Sequence, residues 1–327
     1  MKKRLIALVC AALAVAGCTG AKIIREKTLD NGFIQIVIDS PSLKKNLVST
    51  PTEQTLHVFL PSEYQGLGKS YPVVYYLHGF GGDSTEIMTH AAALKTAMDA
   101  AGAGQFIVVG VNGSTSLGGG FYVNSPVTGN WEDYLVREVV PAIDGRFRTL
   151  KTTASRGIAG FSMGGFGAFN IGFRHPDMFS AVYLMSPGLF DENGLAEAMP
   201  TWWAGFKNAY GQAFSYDTKA DSPYAKIPRL DGTDADTIVV KEWNSGFGDL
   251  PEKINSYLAR KTALRALRIT YGTRDSYPWV IKGCVYFSRL LDDAGIAHET
   301  LEHSGTHDVT AFLIGDMVEF FSRNLAR

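Results

Sequence analysis

The pentapeptide Gly160-Phe161-Ser162-Met163-Gly164 follows a short apolar segment at residues 157–159 and precedes a run compatible with a helix. A serine flanked by glycines between a strand and a helix predicts a nucleophile elbow, in which the serine takes a strained backbone conformation. Glycines flank it because larger side chains would collide with the tightly folded backbone. The turn is therefore expected to present the Ser162 hydroxyl in an open site at the helix N-terminus.

A second glycine-rich turn lies upstream of the first. Residues 73–77 form a short apolar strand that runs into His78-Gly79-Phe80-Gly81-Gly82. A turn of this kind can supply a backbone amide to an oxyanion hole, the set of donors that stabilises the negative oxygen of an acyl-transfer intermediate. Two such turns in this order are much harder to obtain by chance than one. Together they predict acyl chemistry at Ser162.

Composition limits the classes of protein to which the chain can belong. It has 327 residues, of which 46% are hydrophobic and 19% are charged, which suits one large globular domain with an ample core. The formal net charge of −1 gives no indication of a nucleic acid as partner. No metal-ligand cluster and no phosphate-binding loop is recognisable in the sequence, so we expect neither a metal site nor a cofactor.

The N-terminus has the features of a secretory signal. Lys2-Lys3-Arg4 precedes an alanine-rich apolar stretch at residues 5–16 that is too short to span a bilayer comfortably. We therefore expect residues 1–17 to be a signal peptide and the protein to be exported. Ordinary cleavage after the small residues Ala14-Val15-Ala16 would give a soluble periplasmic or secreted protein.

The segment Val15-Ala16-Gly17-Cys18 resembles a bacterial lipoprotein signal, and we favour this interpretation. Cys18 would then be the lipidated N-terminus, carrying fatty acyl chains such as palmitate and anchoring the protein to a membrane of the cell envelope. Cys10 would be lost with the leader, which leaves Cys284 without a partner for an intrachain disulfide. We expect Cys284 to be a buried core residue, with a thiol nucleophile as the alternative.

Strands and helices alternate along most of the chain. Residues 33–38 and 55–60 have the β-branched and aromatic composition of strands that enter a sheet in antiparallel order. The strands that follow are expected at 73–77, 106–111, 156–161, 181–186, 267–271 and 298–301. The helices are expected at 86–100, 132–143, 163–174, 280–294 and 309–324. This alternation predicts an α/β fold with a mostly parallel central sheet and helices on both faces.

The domain organisation follows from the same pattern. No repeat, heptad pattern or low-complexity tract is apparent, so we expect a single catalytic domain at residues 31–327, preceded by a polar spacer at 18–30. The segment at 189–253 has no clear periodicity and contains Trp202-Trp203 among several Asp, Gly and Pro residues. We expect it to be a loop-rich insertion before the strand at 267–271, able to form one wall of a pocket. The alternative is a peripheral excursion whose aromatic residues cover the core.

A serine hydroxyl is a poor nucleophile at neutral pH and needs a histidine base, which in turn needs an acid to fix its tautomer. His307 is the best candidate for the base because Ser304-Gly305-Thr306 makes a flexible turn just before the last helix. His303, at the end of the preceding strand, is the alternative. The other histidines of the mature chain lie in predicted strands, helices or helix ends, or in the oxyanion turn, where structural roles are commoner.

The acid is expected beyond the end of a late strand and between the serine and the histidine in sequence. Asp275 meets both conditions, because Gly272-Thr273-Arg274 connects it to the strand before it. Asp249 and Glu302 are weaker alternatives, the first in the insertion and the second at the end of the last strand. A lone aspartate at such a place would more often cap a helix, and its position between the serine and the histidine favours the catalytic role.

Further motifs are spread over nearly all of the mature chain. They are Ser40-Pro41-Ser42-Leu43, Val58-Phe59-Leu60-Pro61, Tyr71-Pro72-Val73, Leu77-His78-Gly79, Glu138-Val139-Val140-Pro141, Ile143-Asp144, Phe147-Arg148-Thr149, Gly160 to Gly165, His175-Pro176-Asp177 with Phe179, Ser186-Pro187-Gly188 and Gly305-Thr306-His307. With them the chain resembles the esterase branch of the α/β-hydrolases, which includes feruloyl and acetylxylan esterases, S-formylglutathione hydrolases and secreted mycolyltransferases. Phe161 departs from the pattern, because many relatives have histidine there.

The resemblance implies an α/β-hydrolase fold with Ser162 as nucleophile, Asp275 as acid and His307 as base. It also implies an oxyanion hole formed by the amides of Phe80 and Met163. The leading hypothesis is therefore a lipid-anchored serine carboxylesterase that acts through an acyl-enzyme. An acyltransferase that uses the same intermediate is one alternative, and a non-catalytic surface binding lipoprotein is another.

The substrate is less well defined by the sequence. Aromatic residues such as Tyr122 and Trp131 would suit an aryl ester, or a sugar face stacked on a ring, although aromatic side chains more often serve packing. Export weighs against a glutathione thioester, which is a cytosolic substrate. We therefore expect a small-molecule or carbohydrate ester, with a feruloyl ester as one example.

Overall fold

The computed structural model describes residues 21–29, 31–65, 68–100 and 102–327. The predicted signal peptide at 1–17 and the predicted lipidation site Cys18 lie outside the described residues. Among the described residues, no helix combines the length and the apolar character that crossing a bilayer requires.

The strands lie at β1 (Lys22–Thr28), β2 (Phe33–Asp39), β3 (Glu53–Phe59), β4 (Val73–Leu77), β5 (Ile107–Val111), β6 (Asn124–Ser125), β7 (Gly129–Asn130), β8 (Arg156–Phe161), β9 (Ala181–Met185), β10 (Ala266–Gly272) and β11 (Glu299–His303). The α-helices lie at α1 (Ala91–Asp99), α2 (Trp131–Asp133), α3 (Val140–Arg146), α4 (Met163–Arg174), α5 (Gly194–Ala198), α6 (Ala204–Phe214), α7 (Asp234–Asn244), α8 (Leu250–Leu258), α9 (Pro278–Asp293) and α10 (Ala311–Asn324). A 3₁₀ helix at Glu86–His90 precedes α1, and a π-helix at Tyr134–Val139 joins α2 to α3.

The described residues form one nine-stranded sheet in the order β1-β2-β3-β5-β4-β8-β9-β10-β11, and β6 pairs only with β7. The first strands enter antiparallel, since β1 to β2, β2 to β3 and β3 to β5 are antiparallel pairs. From β5 to β11 every neighbouring pair is parallel. The antiparallel entry and the mostly parallel sheet are both as predicted.

The parallel strands are buried on both faces of the sheet. Every residue of β4, β5 and β9 is buried, and their sequences are nearly continuous apolar runs, as is usual when helices cover both sides. On one face, β4 side chains such as Val74 pack in a cluster with Leu94 of α1 and Phe321 of α10. On the other, Tyr75 belongs to a larger cluster that includes Phe169 of α4 and Phe287 of α9. The helices therefore cover both faces.

The predicted spacer at 18–30 is partly wrong, because residues 22–28 form the edge strand β1. Its sequence Lys-Ile-Ile-Arg-Glu-Lys-Thr is mostly charged, and most of it is exposed. Backbone hydrogen bonds to β2 hold it in the sheet, whereas its charged side chains keep the edge solvated. The polar composition that suggested a spacer is therefore that of a protected sheet edge.

The insertion predicted at 189–253 is also more ordered than expected. It contains α5, α6, α7 and the start of α8, so its description as loop-rich is wrong. Glycines within α6 weaken the helical signal in the sequence, but the helix is held by buried aromatic contacts. Phe206 packs against Trp202, and Tyr210 packs against Trp243 of α7. Tertiary packing of these aromatic faces stabilises helices whose intrinsic propensity is low.

Candidate active site

Ser162 lies between the end of β8 and the start of α4, with the unusual backbone angles φ 54° and ψ −114°. A Cβ atom on Gly160 would lie 2.0 Å from the carbonyl oxygen of Gly164, and one on Gly164 would lie 2.0 Å from that of Leu77. Both positions thus require glycine. The local sequence therefore folds as the predicted sharp turn, which presents the Ser162 side chain at the N-terminus of α4.

The structure brings Ser162, His307 and Asp275 together, although they are far apart in sequence. The Nε2 atom of His307 lies 2.9 Å from Ser162 Oγ, and its Nδ1 atom lies 2.7 Å from Asp275 Oδ2. The Asp275 carboxyl is fully buried, and its Oδ1 atom accepts a 2.8 Å hydrogen bond from the Tyr277 amide. The carboxylate is thus fixed by a backbone donor on one oxygen and faces the imidazole with the other.

Aromatic rings hold the imidazole of His307 on two sides. The Phe161 ring centroid lies 4.9 Å from that of His307, and the Tyr277 ring meets it edge-on at 4.8 Å. Phe161, the departure from the family pattern, is thus a packing partner of the histidine. With Nδ1 donating to Asp275, Nε2 is free to accept a proton, so the arrangement can deprotonate a serine hydroxyl and stabilise the resulting imidazolium.

The alternative acids and bases lie elsewhere. The Nδ1 atom of His303 accepts a hydrogen bond from the Gly305 amide at 3.1 Å. Glu302 accepts one from the Tyr271 hydroxyl at 3.2 Å, and Asp249 lines a separate cleft at the start of α8. None of these contacts joins them to Ser162.

The turn from Gly79 to Gly82 faces Ser162, and most of its amides already have acceptors. The Gly79 amide donates to Glu86 Oε2 at 3.2 Å, that of Gly81 to the Gly118 carbonyl at 3.0 Å, and that of Gly82 to the Gly79 carbonyl at 3.1 Å. The hydrogen bonds of the described residues include none from the Phe80 amide. This amide is therefore available to a ligand.

Met163 supplies a second available amide. It is the first residue of α4, so its N–H has no acceptor within the helix. Both amides predicted for the oxyanion hole thus belong to residues that line the pocket above Ser162. The positive end of the α4 dipole adds to the attraction for a negative oxygen.

The pocket has a volume of about 160 Å³ and is strongly aromatic. Its lining consists of Gly79, Phe80, Glu86, Phe161, Ser162, Met163, Trp202, Trp203, Phe206, Phe247, Tyr277, Trp279 and His307. One wall of the pocket comes from the insertion, which contributes Trp202, Trp203, Phe206 and Phe247. An aromatic slot with a few polar groups at its base can bind a flat apolar group next to the serine.

Comparison with known proteins identifies the family. The family model named Esterase matches residues 48–309, which is most of the chain. The chain belongs to this Esterase family.

Two relatives illustrate how far the similarity of this chain to known proteins extends. Esterase Rv1288 of Mycobacterium tuberculosis is 29% identical over 268 residues, which cover 77% of this chain and 52% of the relative. An endo-1,4-beta-xylanase/feruloyl esterase of Xylanibacter ruminicola is 33% identical over 149 residues, 43% of this chain and 20% of the relative. The chain thus spans about half of the length of the first relative and a fifth of the second.

Solved structures share the fold of this chain. A ferulic acid esterase from Anaeromyces mucronatus, in complex with ferulic acid, aligns with a TM-score of 0.58 at 17% identity and covers 93% of this chain and 92% of its own. An S-formylglutathione hydrolase from Agrobacterium tumefaciens gives 0.59 at 19% identity, with 93% and 99% covered. These likenesses confirm the predicted α/β-hydrolase fold.

The aromatic residues Tyr122 and Trp131, predicted as substrate contacts, are core residues instead. Both side chains are fully buried and neither lines the pocket. The Tyr122 ring fills the space left by Gly113 and Gly167, and Trp131 packs edge-on against Tyr134. The prediction is wrong because hydrophobic burial, rather than ligand binding, determines where these rings lie.

Cys284 is buried in α9, as predicted. Burial in apolar surroundings raises the pKa of its thiol far above the ordinary value, which leaves no thiolate for nucleophilic attack. Among the described residues, no group of three or more His, Cys, Asp and Glu side chains could hold a metal ion.

Five residues that line the pocket were not found by sequence reasoning. They are Glu86, Phe206, Phe247, Tyr277 and Trp279. For Tyr277 a signal existed, because it follows the candidate acid Asp275 by two residues. The others come from segments whose positions depend on tertiary packing, and nothing in their local sequence marks them.

His78 supports the turn in a neutral form. Its Nε2 atom accepts a 2.8 Å hydrogen bond from the Gly113 amide, so its Nδ1–H donates to the Gly79 carbonyl at 2.7 Å. Burial lowers the pKa of His78 to about 4. The ring is therefore a neutral donor that helps to fix the Gly79 carbonyl.

This shift predicts a loss of stability in acid. His78 remains neutral in the folded protein down to about pH 4, whereas its ordinary pKa of 6.5 applies in the unfolded chain. The unfolded chain therefore binds more protons than the folded protein between pH 4 and pH 6.5. The contribution of neutral His78 to the free energy of unfolding is complete above pH 6.5. It should decrease by about 3 kcal/mol as the pH falls to 4. Urea unfolding across this range measures the change. A His78 ring signal that titrates near 6.5 in folded protein, as in urea-unfolded protein, would contradict the assignment.

Proposed function

We propose that the protein is an exported serine carboxylesterase that hydrolyses an aryl-type ester through an acyl-enzyme. The chain of hydrogen bonds from Asp275 through His307 to Ser162 is the observation that carries the proposal. It lies at the base of a pocket lined by Phe80 and Met163, whose amides have no acceptor among the hydrogen bonds of the described residues. These are the parts that acyl transfer through a serine requires.

In the proposed mechanism, Ser162 Oγ attacks the carbonyl carbon of the ester while His307 Nε2 takes the hydroxyl proton. Asp275 stabilises the imidazolium, and the amides of Phe80 and Met163 bind the negative oxygen of the tetrahedral intermediate. Collapse breaks the bond to the alcohol, which leaves with the proton from Nε2. A water molecule then attacks the acyl-enzyme by the same route and releases the acid.

The aromatic lining of the pocket favours an aromatic acyl group such as a hydroxycinnamoyl group. Phe80, Phe206 and Trp203 form adjacent rings near the serine, and Trp203 remains more than half exposed at 57%. An exposed indole at the mouth of a pocket can also stack against a sugar ring. The relatives described as feruloyl and ferulic acid esterases support a feruloyl ester on a carbohydrate as the substrate.

A panel of esters tests this proposal. Methyl ferulate, a feruloylated arabinose oligosaccharide, acetylated xylan and p-nitrophenyl acetate and butyrate would be compared by kcat/KM, with Ser162→Ala protein as the blank. We expect the feruloyl esters to have the highest kcat/KM. A preference for the acetyl esters would contradict the aryl specificity, and the absence of hydrolysis for every ester would contradict the esterase itself.

We further propose that Cys18 carries the lipid anchor, because Val15-Ala16-Gly17-Cys18 has the pattern of a bacterial lipoprotein signal. Cys18→Ala should then convert a membrane-associated protein into a released or mislocalised one whose esterase activity is unchanged, since several acyl chains on one cysteine bind a bilayer stably. Fractionation and metabolic labelling with a fatty-acid analogue would measure this.

The matched control for the anchor is Cys10→Ala, which alters a cysteine that is removed with the leader and should leave labelling intact. An unlabelled mature protein that begins at Gly17 in the soluble exported fraction would show that ordinary cleavage is used instead.

A further inference from the structure

Glu86 is a carboxyl group in a place where a negative charge would be unfavourable. It begins the 3₁₀ helix at Glu86–His90 and lines the pocket together with Ser162 and the Phe80 turn. An anionic side chain close to a developing oxyanion would oppose the reaction by repulsion. Burial raises the pKa of Glu86 above its ordinary value, and the nearby Asp83 acts in the same direction.

Both oxygens of Glu86 are engaged by the structure around the turn. The Tyr76 hydroxyl, from the buried strand β4, donates to Oε1 at 2.7 Å. The Gly79 amide donates to Oε2 at 3.2 Å. Gly82 leaves room for this carboxyl, because a Cβ atom there would lie 2.8 Å from Oε2. Glu86 thus connects the turn to the sheet.

The hydrogen bonds of the turn determine which way the Phe80 amide points. The peptide unit between Gly79 and Phe80 is planar, so its N–H points opposite to the Gly79 carbonyl. That carbonyl is held by the Gly82 amide and by His78. The preceding peptide unit is held at the His78 carbonyl by the Tyr122 hydroxyl, at 3.4 Å, and at the Gly79 amide by the shorter bond to Glu86. Because glycine is conformationally permissive, Gly79 could rotate if this bond were absent.

We propose that Glu86 is a positioning residue, which fixes the Gly79 amide and thereby keeps the Phe80 amide directed at the oxyanion. The inference depends on the proposed serine esterase function, because the Phe80 amide matters only if an oxyanion forms at Ser162. Glu86 itself makes no contact with the reacting atoms in this scheme. It acts through the geometry of the turn.

Two substitutions of similar volume test this role. Glu86→Met removes both acceptors, whereas Glu86→Gln keeps an amide oxygen for Gly79 and an amide group that can donate to the Tyr76 hydroxyl. For Glu86→Met we expect kcat to fall by about 10- to 100-fold with KM within about twofold, since one oxyanion donor is misplaced rather than removed. The affinity for an aryl boronic acid, which forms a tetrahedral adduct with the serine, should fall in parallel. Glu86→Gln should restore both to within about threefold.

Glu138→Ala provides the matched control for a merely structural effect. Glu138 is a buried carboxyl that accepts hydrogen bonds from Ser40 and Ser42, and it does not line the pocket. This variant should lower Tm without changing kcat or boronic acid affinity per folded molecule. If Glu86→Met fails to fold, Glu86→Ala replaces it, and the same comparison with Glu86→Gln applies.

The outcomes separate this inference from the proposed function. If wild-type protein neither hydrolyses esters nor binds the boronic acid, the proposed function fails. If wild-type protein does both and Glu86→Met equals it, or if Glu86→Gln is as impaired as Glu86→Met, only the positioning role of Glu86 fails. A fall in boronic acid affinity that follows kcat across the variants supports the role.

Discussion

Replacement of Ser162 by alanine should lower kcat by a factor on the order of 10⁴ or more, because no other group can form the acyl-enzyme. The fold should be nearly unaffected, since alanine can keep the backbone hydrogen bonds of Ser162 to Met185, Phe166 and Gly188. Initial-rate assays on methyl ferulate and thermal melts measure the two effects. Labelling by an organophosphonate should disappear in the same variant.

Ser155→Ala is the matched control for this experiment. Ser155 is a buried serine immediately before β8, the strand whose other end leads into Ser162. It should keep full turnover and full labelling, although it loses the hydrogen bond from the Thr152 hydroxyl. Substantial ester hydrolysis by folded Ser162→Ala protein would end the interpretation as a serine esterase.

The parts of the fold that sequence reasoning predicts best are those with strict local requirements. The strands at 73–77 and 156–161 and the helix at 163–174 have the predicted bounds. Buried parallel strands must be continuous apolar runs, and the elbow between β8 and α4 requires glycine at Gly160 and Gly164. These requirements leave a visible pattern in the sequence. The helices of the insertion leave none, because their stability comes from contacts such as that between Tyr210 and Trp243.

The residues of the site also divide into those that local sequence patterns reveal and those that depend on tertiary packing. The three residues Ser162, His307 and Asp275 could be selected from local patterns. Ser162 lies in the sharp turn after its strand, and the other two follow glycine turns after theirs. The ends of parallel strands meet at one sheet edge, which brings such residues together. Tyr122 was misjudged because nothing local reveals whether a ring faces a pocket or a core. Glu86 was missed because its hydrogen bonds to Tyr76 and Gly79 form only once the turn has folded back on itself. Nothing in the local sequence indicates these contacts.

The interdependence of the three side chains gives the second large prediction. His307→Ala should lower kcat by a factor on the order of 10⁴ or more, and Asp275→Asn by about 10³ to 10⁴, because an amide would favour the wrong tautomer of the imidazole. His303→Ala and Asp249→Asn are the matched controls and should cost less than about tenfold. Steady-state kinetics with melting curves for all four variants would establish the ranking.

Non-additivity is the decisive measurement for this assignment. The hydroxyl of Ser162 and the ring of His307 are joined by one 2.9 Å contact, so the ring has no serine proton to take once the hydroxyl is gone. Adding His307→Ala to Ser162→Ala should therefore cost almost nothing further. Independent effects that multiply would mean that the two groups serve different steps. Full activity of His307→Ala would transfer the role of base to His303, whose Nδ1 atom already accepts from the Gly305 amide and which would have to reorient to reach the serine.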